Sequence, residues 1–330
     1  MLLSTHMLDI ITIGESLRDV FYMIHDATVS CSIHKDRCLL CLEYAEKIPV
    51  DSVVKIPAAG NSANAAVSAS RLGLKTALVS WVGKDFAGDQ IREALKKEKV
   101  HEKFIIIDAK KPTSESTVIN FQGERTQLVY FQPRSYILPT LPACRAIYYS
   151  AMGIDHARMD LQLLTHLKKN PNILFAFQPG TTHIRAGLDA NKKLIARSDF
   201  FILNKEEAHH LLSDGDRTML NMLEAFHHIG AKQIIITDGP NGADAFDGTT
   251  HFHMPIFPGK VIERTGAGDA FASSVISATL QKKKLAEALR YGSANSASVV
   301  GKVGPQAGLV HLNEMKRILK KNMKVCAHIV

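Results

Sequence analysis

The residues Arg264-Thr265-Gly266-Ala267-Gly268-Asp269-Ala270-Phe271-Ala272 combine a turn of small side chains with a carboxylate. Glycines at 266 and 268 allow a tight turn and let a ligand approach the backbone closely. Ala270 to Leu280 reads as a helix, so the amides of Gly266, Ala267 and Gly268 stand at its N-terminus. Unpaired N–H groups and the positive end of the helix dipole attract an anion there. A carboxylate beside an anion site suits phosphoryl transfer: the amides hold the phosphoryl group, and Asp269 takes the proton of an attacking hydroxyl. Ordinary capping accounts for the same turn, so the segment alone does not decide. The dipole favours ionised Asp269, which predicts a weak base that acts late, as the hydroxyl proton becomes acidic.

Other groups fit ligand contact. Ala59-Gly60-Asn61-Ser62-Ala63-Asn64 opens a helix with small residues and two carboxamides that both donate and accept toward hydroxyls. Asp19 follows the first strand, at a carboxyl end where α/β sheets bind ligands, or is a turn residue. Asn204 and Glu207 are three apart on a first helical turn and share a face. They fit either the water shell of a phosphate-bound Mg²⁺ or a capping box. Thr237-Asp238-Gly239-Pro240-Asn241-Gly242 ends a strand and either borders a nucleotide or simply turns.

The elements that must position these residues alternate. Strand-length apolar runs occur at 8–13, 76–82, 104–107, 146–149, 173–177, 200–203 and 234–237. Their continuous apolar character suits strands buried on both faces. Helical stretches occur at 62–72, 85–97, 160–169, 205–212, 217–229, 268–281, 285–300 and 313–321, with Asp85 as an N-cap and Gly73 as a C-cap. This predicts an α/β fold, a doubly wound, mainly parallel sheet. Residues 20–56 and 115–132 interrupt the rhythm, and the second reads as a hairpin around Gln122-Gly123-Glu124. Together they predict a small β-sheet lid over a main domain of residues 1–19, 57–114 and 133–330. Ordinary edge elaboration is the alternative.

Composition bounds the partners. The chain has 330 residues, 46% apolar and 22% charged, as expected for a globular protein with a full core. No run approaches a membrane span. Residues 1–13 lack the basic region and cleavage site of a signal peptide, so the expected location is the cytoplasm. The net charge is +8. Clusters such as Lys282-Lys283-Lys284 carry no interleaved aromatics, so they read as solvated helix faces rather than a nucleic-acid surface. Five cysteines, an odd number, argue against a disulfide framework. Cys31, His34, Cys38 and Cys41 offer four ligands of the type tetrahedral zinc takes, or reduced cysteines in a loop. There is no G-x-x-x-x-G-K-[ST], no H-E-x-x-H and no strand leading into G-x-G-x-x-G, so P-loop, zincin and dinucleotide-binding readings have no support.

The order of the motifs resembles the ribokinase family, the PfkB carbohydrate kinase superfamily, over nearly the whole chain. Gly60 to Asn64, with Gly73 and Gly83, is similar to the family's N-terminal signature, and Glu263 to Ala272 to its C-terminal one. Asn204 and Glu207 resemble its N-x-x-E, and Thr237, Gly239 and Gly242 its T-x-G-x-x-G. The resemblance implies a ribokinase-like fold and Mg-ATP-dependent transfer of the γ-phosphoryl group to a primary hydroxyl. Asp269 is then the base, and Gly266, Ala267 and Gly268 form the anion hole. Asp19, Gly60, Asn61 and Asn64 hold the acceptor. Asn204 and Glu207 order Mg²⁺ through water, and Thr237, Gly239, Gly242 and Asn295 lie along the nucleotide. It further implies a K⁺ site and a homodimer clasped through the lid.

The chain departs from the family pattern at three places. Glu263-Arg264-Thr265 stands where Asp-Thr-Thr is common, which bears on the K⁺ site. Gln178 stands where sugar kinases often carry Asp, and the cysteine-rich stretch is unusual. The expected acceptor is a small neutral sugar. A nucleoside, its base walled by Phe21, Tyr22, Phe121 and Tyr130, or a non-catalytic sugar-binding relative, are the alternatives. Arg134, near the end of the second insertion, reads as a surface arginine.

Overall fold

The structure, a computed structural model, describes residues 7–32, 38–213 and 217–330. The strands in chain order are β1 (Leu8–Ile13), β2 (Leu17–Met23), β3 (Thr28–Cys31), β4 (Cys38–Cys41), β5 (Ser52–Ala59), β6 (Thr76–Gly83), β7 (His101–Asp108), β8 (Glu115–Phe121), β9 (Glu124–Tyr130), β10 (Cys144–Tyr149), β11 (Leu174–Phe177), β12 (Phe200–Asn204), β13 (Gln233–Thr237), β14 (Ala243–Phe246), β15 (His251–Met254) and β16 (His328–Ile329). The helices are α1 (Asn61–Arg71), α2 (Phe86–Lys97), α3 (Ala157–Lys169), α4 (Thr181–Arg197), α5 (Lys205–Leu212), α6 (Met219–Ile229), α7 (Ala267–Leu280), α8 (Leu285–Val299) and α9 (Leu312–Lys321).

One ten-stranded sheet runs β16-β15-β14-β13-β12-β11-β10-β1-β6-β7. β13 through β7 are parallel, and β14, β15 and β16 add antiparallel at one edge. Residues alternate between two apolar layers. Tyr149, Phe175, Phe177 and Phe201 pack with Met159, Leu163, Leu223 and Phe226 of α3 and α6. Tyr148, Ala176, Phe200 and Ile202 pack on the opposite face with Phe271, Val275, Ala288 and Leu289 of α7 and α8. The sheet is thus doubly wound, as the alternation of runs predicts. Chain order reverses between β1 and β10, so the ligand crevice of such a fold belongs outside their carboxyl ends.

α7 has small residues on nearly every face, and most of it is buried. Ser273 Oγ meets Ser68 Oγ of α1 at 2.7 Å, a close approach that larger side chains would prevent. α4 and the antiparallel edge were not expected from the sequence. Gly187 at φ 82° breaks the α4 helix in its middle and obscures the helical period.

A second sheet runs β5-β2-β8-β9. β2 pairs antiparallel with β5 but parallel with β8, and β8 and β9 form the expected hairpin, with Gln122 at φ 54° and Gly123 at φ 84°. Its first chain range reaches further than 20–56, since β2 begins at Leu17 and β5 runs to Ala59, while β8 and β9 lie within 115–132. β3 and β4 form a separate exposed ribbon. There the sulfurs of Cys31 and Cys38, paired across the ribbon, are joined as a disulfide. This corrects two expectations. A disulfide is present, and its two sulfurs are not thiolates that could ligate zinc with Cys41. His34 lies outside the described residues. Among the described residues no helix is long and apolar enough to cross a membrane.

Candidate active site

Gly266 takes the left-handed conformation, φ 80°, at the N-cap of α7, and a Cβ there would meet Pro305 at 2.4 Å. The turn therefore requires glycine. It delivers Asp269 into the first turn of α7, facing the carboxyl ends of the central strands. Asp269 Oδ2 accepts from Asn64 Nδ2 at 2.8 Å, and Oδ1 faces Gln178 Nε2 at 3.4 Å. Asn64 is held in turn by Gln306 Nε2 at 2.9 Å, and the Tyr148 hydroxyl donates to Gln178 Oε1. The carboxylate is oriented before any ligand arrives. Its pKa is raised to about 6, chiefly by burial, while the Asn64 contact and the charge of Arg125 act the other way. Burial thus raises the pKa of a group that the helix dipole alone would keep ionised, against the sequence expectation.

Two cavities meet at this turn. The first, about 320 Å³, is lined at the carboxyl ends of five parallel strands by Glu15, Ala151, Gln178, Asn204 and Thr237. Asp19, Gly60, Asn61 and Asn64 line it from the other side, and alternate residues of β9, Arg125, Gln127 and Val129, roof it. Gly60 holds φ 103° with its Cα against Glu15, where a Cβ would lie 2.5 Å from the carbonyl oxygen. The second cavity, about 530 Å³, is walled by Ile256, Phe257, Val261, Phe271 and Val300, with Gly239 and Gly242 at its edge. Thr237, Arg264 and Gly268 border both.

The first cavity holds four carboxyl groups whose pKa values burial raises. Asp19 and Asp269 lie at about 6, Glu15 and Glu207 at about 7. Asp19 is buried and lines this cavity, and its Oδ1 has no hydrogen-bond partner. Asn204 and Glu207 form a capping box: Asn204 Oδ1 accepts from the Glu207 amide at 2.8 Å, and Glu207 Oε2 from the Asn204 amide at 2.9 Å. The same two residues line the cavity, and Glu207 Oε1 takes no part in the capping box.

Several sequence expectations need correction. Asn295 does not reach the second cavity. It is buried and bonds Ser68 Oγ at 3.2 Å, Ser274 Oγ at 2.8 Å and the Val310 amide at 3.0 Å. Ser293, Ser296, Ala297 and Val300, at helical spacing, face the cavity instead. Phe21 is fully buried and Tyr130 is exposed, and neither they nor Tyr22 and Phe121 line the first cavity, where Phe131 does. Arg134 is no surface residue. It is buried, 3.0 Å from Asp108 and 3.6 Å from Glu15, and donates to the Pro112 carbonyl. Glu263 is buried and accepts from Thr265 N at 2.6 Å and from Gly304 N at 3.3 Å. Its carboxylate shapes the turn before Gly266. Sequence reading passed over Glu15, Arg125 and Gln127. Glu15, a charge continuing an apolar strand at its carboxyl end, and the every-second-residue pattern of β9 were the signals available.

The profile of the pfkB family carbohydrate kinases matches residues 31–312. The chain belongs to this family. It is 24% identical over 330 residues to an ATP-dependent 6-phosphofructokinase of Thermoanaerobacterium thermosaccharolyticum, covering 95% of each chain. It is 26% identical over 315 residues to a ribokinase of Staphylococcus aureus, covering 90% of this chain and 100% of that one. The solved nucleoside kinase of Methanocaldococcus jannaschii, a member of the ribokinase family, shares the fold with a TM-score of 0.77 at 20% identity, over 96% of this chain and 99% of that one.

Proposed function

We propose that this carbohydrate kinase transfers the γ-phosphoryl group of ATP to a primary hydroxyl of a small sugar, with Asp269 as base. The observation that carries the reading is the placement of Asp269. It is oriented by Asn64 and Gln178 and lies beside the N-terminal amides of α7, where a polar and an apolar cavity join. Asp19, Gly60, Asn61 and Asn64 hold the hydroxyls of the acceptor in the polar cavity. Asp269 accepts the proton as the acceptor oxygen attacks. The first-turn amides of α7, from Gly266, Ala267 and Gly268, steady the transferring phosphoryl group. The Ala267 amide also makes a long turn bond, 3.3 Å, to the Arg264 carbonyl. Thr237, Gly239 and Gly242 border the nucleotide, whose base takes the apolar cavity.

A carboxylate oxygen left over from the capping box, in a cavity that must also hold phosphates, fits the water shell of Mg²⁺. Asn204 and Glu207 would hold it, and bound there it supplies neutralisation of phosphate charge. A homodimer through the β5-β2-β8-β9 sheet and a cytoplasmic location complete the reading. The lid sheet leaves Val53, Leu128 and Tyr130 exposed, which suits a second subunit.

The test is a phosphorylation panel of free sugars, sugar phosphates and nucleosides with ATP or ADP as donor. ATP-dependent phosphorylation of a pentose or hexose is expected. If a nucleoside exceeds every free sugar in kcat/KM by more than about tenfold, the acceptor is a nucleoside, since a site matched to hydroxyls discriminates strongly against their absence. Phe131 and Val129 would then seat its base. No turnover with any acceptor would mark a non-catalytic sugar-binding relative.

A further inference from the structure

Behind the polar cavity, three side chains outside the kinase machinery converge. His156 stands at the N-cap of α3, Asp160 one turn further on, and His183 in the first turn of α4. His156 Nδ1 lies 2.8 Å from Asp160 Oδ2, and His183 Nε2 lies 3.7 Å from Asp160 Oδ1. One donor atom from each residue falls within 4.8 Å of the other two, and no other three His, Cys, Asp or Glu side chains do so among the described residues. His183 is fully buried, and neither of its ring nitrogens has a hydrogen-bond partner. A buried imidazole stripped of water and left without a partner is costly. Tyr149 and Phe177 close off its ring, each with centroids 5.3 Å away.

We propose that His156, Asp160 and His183 form a binding site for a divalent transition-metal ion, zinc above all. Zinc takes imidazole nitrogen and carboxylate oxygen at about 2.0–2.1 Å, which sets neighbouring tetrahedral donors about 3.3 Å apart. The two contacts above bring one imidazole nitrogen to each oxygen of the Asp160 carboxylate, and one donor atom from each residue lies within 4.8 Å of the others. An ion here uses the buried nitrogen that hydrogen bonding leaves idle. The Tyr149 hydroxyl, 2.5 Å from Asp160 Oδ1, is the kind of outer partner that orients a ligating carboxylate. The ion ties the start of α3 to the start of α4. Thr182, next to His183, donates to the Met152 carbonyl at 2.7 Å, and both residues line the polar cavity. The site therefore braces the wall of that cavity and takes no part in the chemistry. It also does not depend on which acceptor the kinase uses.

The test uses the full chain, stripped with a chelator and kept free of nucleotide, Mg²⁺ and thiol reductant. Zinc is titrated in against a chromophoric chelator, and cobalt is added separately for its visible spectrum. One zinc per chain, bound tighter than about 10 μM, is expected. H156Q and H183Q should each weaken binding at least about tenfold, while H251Q, beside the unrelated Asp244 pair, and C41S should not. Cobalt should give ligand-field bands without thiolate charge transfer, a readout on the parent chain that survives any variant's failure to fold. Binding weaker than about 10 μM, binding unchanged in both H156Q and H183Q, or thiolate bands would each overturn the proposal.

Discussion

The polar and apolar cavities share Thr237, Arg264 and Gly268 but are built from opposite materials. The polar one gathers Glu15, Asp19, Glu207 and Asp269, each with its pKa raised by burial. The apolar one is a slot of Ile256, Phe257, Val261 and Val300 with glycines at its rim. Concentrating buried carboxyl groups under a lid brings several raised pKa values together near neutrality. It also makes that half sensitive to pH and to single-atom changes. The slot depends on area alone and should tolerate substitution.

The largest difference between the halves should come at Asp269. Asp269→Asn keeps the Asn64 contact in reach but removes the proton acceptor, so turnover should fall by about 10²–10⁴-fold or more, with ATP affinity by calorimetry unchanged. In the parent enzyme kcat/KM should rise with pH through about 6, because the deprotonated carboxylate is the active form. A variant within a few-fold of the parent would remove Asp269 from the chemistry. Asp19→Ala comes next. Losing a charged hydrogen bond to a hydroxyl, worth about 1.5–3 kcal/mol, should raise the acceptor KM roughly tenfold to a hundredfold and leave the ATP KM alone. A selective loss of ATP binding would mean the two cavities are assigned in reverse.

Glu207→Gln separates the two roles of one side chain. Glutamine at the third helical position still closes a capping box, so the thermal midpoint should hold. The Mg²⁺ concentration for half-maximal rate should rise by roughly tenfold, as for other outer partners of a metal. A lowered midpoint at unchanged Mg²⁺ dependence would leave Glu207 with the cap only. The smallest effect is expected in the slot. Val261→Ala removes two methyl groups from a half-open wall, worth at most about 1 kcal/mol, and should raise the ATP KM about two- to fivefold with the acceptor KM constant. A shift in the acceptor KM instead would break the division between the halves.

The same contrast governs what the sequence disclosed. β1, β6 and β10 to β13 read clearly as continuous apolar runs because they are buried on both faces, and Asp269, Asn64 and Asp19 stood out because short polar residues follow strands and turns. What failed needed knowledge of a face or a distant partner. Asn295 sits one residue from the helical stripe of Ser293, Ser296 and Ala297, and that rotation of about 100° turns it from the cavity into the interior. Arg134 seemed exposed because its partners, Glu15 and Asp108, are far away in the chain. The Cys31–Cys38 disulfide defied a reading based on cysteine count, since the ribbon places the two residues directly opposite.

The parallel pairing of β2 with β8 has a consequence for biosynthesis. Arg18 lies opposite Glu115, 97 residues later, and their side chains meet at 2.7 Å. While the chain is being made, β2 and β5 can form a ribbon early, but the β8 side of β2 stays an open edge with Val20 and Tyr22 beside it until residue 121 has emerged. Open edges of this kind recruit other chains. The nascent lid thus stays open to such pairing until β8 emerges, and part of the aggregation risk of this kinase lies in the order in which its lid strands are completed.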